Sequence, residues 1–96
     1  MFVGVARFDL ILLDQPQSLK AKRSIVRRLR DEIRNRLQLS VAEVDAQDLW
    51  QRAVFGVAAV SADQTTARRL LQDCAELIAA RPELEIVSEE LDVEAW

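Results

Sequence analysis

Ninety-six residues, half of them apolar, can bury one modest core and leave little room for a second, so residues 1–96 are read as a single domain. One cysteine and no histidine exclude, within one chain, a disulfide framework, the usual Cys/His zinc site and the Ser-His-Asp or Cys-His catalytic arrangements, and they suit a reducing cytoplasm. The net charge of −3 hides a polarised layout: eight of the thirteen Lys and Arg residues fall between Lys20 and Arg36, and no basic residue follows Arg81.

Residues 2–13 read FVGVARFDLILL, rich in Val, Leu, Ile and Phe, and stop at the turn-forming run Asp14-Gln15-Pro16-Gln17, which predicts a first strand. Ser18 can then accept a backbone N–H as an N-cap. Leu19, Val26, Leu29, Ile33 and Leu37 recur at helical spacing, predicting a helix to about residue 37. Leu39 to Ala46 is a short segment in which the acids Glu43 and Asp45 alternate with Ala42 and Val44, as suits an edge strand. Beyond Gln47-Asp48-Leu49-Trp50, the run from Arg52 to Ala62 is apolar and β-branched and is expected in the middle of a sheet. Its uncharged part, Val54 to Ala62, is nine residues long, too short for a membrane helix, and Met1 to Ala6 lacks a cationic signal-peptide start, so no membrane is expected.

Ser61 or Asp63 can cap a second helix, in which Ala67, Leu70, Leu71, Cys74, Leu77 and Ile78 follow a 3.6-residue period and which ends near Arg81-Pro82. Leu84, Ile86, Val87, Leu91 and Val93, set among acids, predict a last strand with one wetter side.

The order is βαββαβ, so the expected fold is an α+β ferredoxin-like sandwich, a four-stranded antiparallel sheet with two helices on one face. The first and third strands would be central. Both are apolar on both faces: Phe2, Ala6, Phe8 and Leu10 lie opposite Val3, Val5 and Ile11, and Phe55, Val57 and Ala59 lie opposite Val54, Ala58 and Val60. One layer of helices covers one face only, so self-association through the open face is expected, giving a homo-oligomer.

Around the first helix, Lys20, Arg23, Arg27, Arg30 and Arg34 fall within an arc of roughly 80°, beside the apolar arc of Val26, Leu29 and Ile33. They stack along the axis for about 20 Å and can follow several phosphates, which gives salt-sensitive, largely sequence-independent nucleic-acid affinity. Four arginines to one lysine favour planar anion contacts. The opposing expectation is a solvated face whose cations pair with Asp31, Glu32 or the acidic last strand. Like charges three and four residues apart weaken a helix, so the stripe needs compensation of some kind.

Other constellations carry less. RNA binding on the sheet, as in RRM domains, needs exposed aromatics on the central strands, and only Phe2, Phe8 and Phe55 are available. Glu43, Asp45 and Asp48 are close in sequence, but edge-strand charges explain them more simply than a Mg²⁺ site, so no metal or cofactor is expected. Cys74 lies on the apolar arc of the second helix as inert core. Trp50 lies in a turn, and Trp96 has no assigned role. An acylphosphatase-like activity would need a glycine-bearing loop after the first strand, which Asp14-Gln15-Pro16-Gln17 lacks.

Three runs, Ser18-Leu19-Lys20-Ala21-Lys22-Arg23, Ser40-Val41-Ala42-Glu43-Val44 and Gln47-Asp48-Leu49-Trp50-Gln51-Arg52, together resemble the YlxP-like family of small uncharacterised bacterial proteins, and the likeness spans almost the whole chain. The resemblance implies a ferredoxin-like fold and a bacterial cytoplasmic setting, with family genes often near those for translation and ribosome maturation; it implies no reaction. The resulting expectation is a non-enzymatic RNA- or ribosome-associated factor. Lys20, Lys22, Arg23, Arg27, Arg30 and Arg34 would contact phosphates. The alternative is a homo-oligomeric interaction module without nucleic-acid binding.

Overall fold

The computed structural model describes residues 1–96 and has the element order β1 (Phe2–Leu12), α1 (Leu19–Leu37), β2 (Ser40–Asp45), β3 (Arg52–Ser61), α2 (Gln64–Ala79) and β4 (Leu84–Ala95). The four strands form one antiparallel sheet in the order β2-β3-β1-β4, the α+β ferredoxin-like arrangement. Both helices pack on one face.

Local chemistry sets the helix limits. Ser18 is extended, and its Oγ accepts the Ala21 N–H at 3.0 Å, satisfying one of the donors that a helix start leaves open. At the other end Gln38 turns left-handed at φ 56°, and its N–H donates to the Arg34 carbonyl at 2.9 Å. Of the two candidate caps for α2, Asp63 is the one used: its Oδ2 accepts from the Thr66 N–H and from the Thr66 hydroxyl, each at 2.8 Å. Those bonds favour the carboxylate and lower the Asp63 pKa.

Phe8 and Phe55 stand opposite each other in the β1–β3 register and are completely buried under the helices. Ile33 from α1 and Leu71, Cys74 and Ile78 from α2 join the same core, as the helical spacing predicts. Leu71 of α2 packs tightly on Gly4, since a Cβ there would lie 2.8 Å from the Leu71 side chain. Burial pushes the Cys74 thiol up to about 12. The thiolate is the reactive form, so the native protein at pH 8 should resist alkylation. Mass spectrometry should show full labelling only after denaturant is added, and rapid native labelling would show that Cys74 is not held in the core.

The other face of the sheet has no helix. Val5, Val44 and Val60 are 51%, 48% and 65% exposed on or beside it. Arg7 stands near the centre, within 3.8 Å of Asp9 and 3.7 Å of Asp45. On β4 the residues paired with this side of β1, Glu90, Asp92 and Glu94, are acidic. β4 lies two strands beyond β3 and three beyond β2, so at about 4.8 Å per strand the acidic edge is about 14 Å from β2.

Candidate nucleic-acid interface

One side of α1 overhangs the β2 edge, and between them runs a groove of about 360 Å³. Arg23, Arg27, Arg30 and Arg34 line its helix side, Val26 lies in its floor, and Val41, Ala42 and Glu43 form the strand side. The four arginines thus meet one continuous depression about 16 Å long at 1.5 Å per residue. Sequence periodicity places them on one helix face. It does not reveal that β2 closes the other side.

The molecule's own acids leave the stripe largely unpaired. Arg30 Nε is 3.6 Å from Asp31, and Arg34 Nη2 donates to the Val41 carbonyl at 3.3 Å, whereas Lys20, Arg23 and Arg27 make no ion pair within 4.0 Å. Glu32 is taken by Arg36, at 2.9 Å, and by Arg81. The acidic β4 lies at the opposite edge of the sheet and cannot compensate the stripe. Lys20 is exposed near the start of the helix but does not line the groove.

Lys22 is a correction to the expected phosphate-contacting set. It lies at the buried spacing of Val26, Leu29 and Ile33, is 1% exposed, and is the one charged residue in the buried set. Its ammonium reaches the Ala46 carbonyl at 2.6 Å, the Gln47 carbonyl at 3.3 Å and Glu43 Oε2 at 2.9 Å. Buried under the helix, with two carbonyl acceptors and the Glu43 carboxylate around it, the ammonium is out of reach of an external phosphate.

The expectation that Glu43 and Asp45 share one side of β2 also fails. A bulge shifts the register between them, pairing Glu43 with Phe55 and Asp45 with Val54. The extra residue sends the two carboxylates to opposite faces, Glu43 to Lys22 and Asp45 to Arg7. Val44 closes over Gly56, where an added Cβ would lie 3.0 Å from Val44 Cγ1. Ala46, which follows, has φ 60°, a left-handed conformation that turns its carbonyl to Lys22.

Sheet-face base stacking finds no exposed pair on the central strands, because Phe8 and Phe55 are fully buried on the helix side and Phe2 alone is partly exposed. No aromatic lines the arginine groove.

Comparison with known proteins gives a consistent assignment. A family model described as "Protein of unknown function (DUF503)" matches residues 3–91. The chain is also 36% identical over 83 residues to "Uncharacterized protein YlxP" of Bacillus subtilis (strain 168), covering 86% of this chain and 89% of that protein.

Proposed function

This chain belongs to the DUF503 family, and from that premise we propose that it is a non-enzymatic, cytoplasmic RNA- or ribosome-associated factor that holds the phosphate backbone of structured RNA in the groove between α1 and β2. The supporting observation is the convergence of Arg23, Arg27, Arg30 and Arg34 on one groove, with Arg23 and Arg27 free of internal carboxylates. Guanidinium groups bind phosphate oxygens through two parallel N–H donors. Successive arginines rise by about 6, 4.5 and 6 Å along the helix, close to the spacing of neighbouring phosphates on one strand. The groove has no aromatic side chain on which a splayed base could stack, which favours the backbone of a helical RNA over an unstructured strand. The test is a titration of hairpin RNA at several salt concentrations. Four phosphate contacts correspond to a log–log slope of about −3 to −4. A slope near zero, or no binding at low salt, would end the proposal.

The exposed Val5, Val44 and Val60 favour a second element of the reading, in which another copy of the chain covers the open sheet face. Glu90, Asp92 and Glu94 of that face lie along the β4 edge, and Asp9 and Asp45 are met by Arg7, so a partner centred on Val5, Val44 and Val60 can leave the β4 acids in water. Size-exclusion chromatography with light scattering should show a dimer at high micromolar concentration, and V5D/V60D should return it to a monomer. A strict monomer for the parent protein would rule this out.

A further inference from the structure

We propose that Lys22 is a positioning residue for the arginine groove: it pins the Glu43 carboxylate against the root of β2 and neutralises it, so that the groove stays cationic and open to an anion. The inference rests on the groove being the binding surface. Glu43 is the single carboxylate among the groove-lining residues. It sits opposite a row of arginines, two of which have no internal partner. Left to itself, such a carboxylate would swing onto those arginines and compete with any phosphate for the same donors.

Three independent features of the chain prevent this. Lys22, fully buried, holds Glu43 Oε2 at 2.9 Å. Glu43 keeps the regular register of Val41 and so faces the helix side, and the bulge after it sends Asp45 to the other face. Ala46 is kept at φ 60°, and its carbonyl, with that of Gln47, fixes the ammonium from the other side. A buried lysine and a left-handed alanine are each costly, and backbone strain of this kind persists where the surroundings over-determine it. Helix closure alone does not require them. A methionine at position 22 would fill the same space without a charge.

The test is a charge cycle measured on the full chain with hairpin RNA at about 50 mM salt. E43Q should bind about three- to tenfold more tightly, because Lys22 keeps its two carbonyls and its charge is no longer offset. K22M should bind weaker by a similar factor, and K22M/E43Q should return close to the parent affinity. A purely structural role predicts altered melting temperatures with unchanged affinity of the folded protein, and that result would overturn the inference. The free protein gives an arm that needs no RNA. In K22M the Nε–H NMR signals of Arg23 or Arg27 should shift and exchange more slowly as Glu43 moves onto them, and the shift should vanish in K22M/E43Q. Absence of that shift in folded K22M overturns the inference whether or not RNA binds. If the parent protein binds no RNA while the shift appears, the pairing stands and the RNA reading fails. If K22M does not fold, E43Q decides through its gain in affinity, and unchanged binding counts against the proposal.

Discussion

Reversing Arg23 and Arg27 together to glutamate should weaken hairpin RNA binding by about a hundredfold or more at low salt, with the fold intact. Two of the four groove arginines become carboxylates, so two phosphate contacts are lost and two repulsive charges enter the same depression. The salt dependence should fall with them, the slope shrinking by about two. Both positions are exposed, and neither side chain has an ion pair to break. The reversal also breaks up a row of like charges at helical spacing, so stability should stay within about 0.5 kcal/mol of the parent. Far-UV circular dichroism and thermal melting check this. R68E/R69E makes the same change in net charge on α2, away from the groove. If that control loses as much affinity as R23E/R27E, binding follows overall charge and the groove has no special role.

The second large effect is on stability. Phe55→Ala should lower folding stability by about 3–5 kcal/mol, a large share of the roughly 5–15 kcal/mol typical of domains this size. Phe55 is fully buried and packs opposite Phe8 in the sheet centre, where surrounding side chains cannot collapse far into the space left. At about 4–8 °C per kcal/mol, the melting temperature should drop by more than about 12 °C. The same variant separates two modes of RNA contact. If phosphates are held by α1, F55A that remains folded at low temperature should keep the parent affinity. A tenfold loss would instead point to stacking on the sheet, contrary to the burial of both central phenylalanines.

Charge polarity and fold are linked here through strand order. In sequence, the basic stretch and the acidic last strand are separate blocks that could have folded against each other. The β2-β3-β1-β4 order puts them at opposite edges, with α1 beside β2 and the acids on β4. Acids along β4 also make that long edge a poor template for pairing with another chain. At the β2 edge, Arg34 and Gln47 donate to the Val41 and Glu43 carbonyls, so part of that edge is occupied by the molecule's own side chains.

Much of this architecture was legible without coordinates. Apolar spacing located all six elements, Ser18 marked the start of α1, and the mostly apolar residues 2–12 and 52–61, interrupted by Arg7, Asp9 and Arg52, put apolar side chains on both faces of the central strands. These are properties of short windows, because helical and strand periods of 3.6 and 2 residues bring side chains to one side whatever lies beyond. Period alone also put Lys22 in line with Val26, Leu29 and Ile33. Its charge argued for solvent, and nothing nearby in the chain supplied a reason to bury it.

That reason lies 21 residues away in Glu43, which strand alternation turns toward the helix, and in the carbonyls of Ala46 and Gln47, which follow a one-residue bulge that turns Asp45 away from it. Residue order determined the elements, the stripe and the amphipathic faces. Tertiary structure alone decided that the stripe faces β2 across a groove, and that one of its neighbouring lysines is an internal counter-charge. Periodicity fixes direction about an axis, whereas a buried ion pair depends on which distant segment the fold brings to meet it.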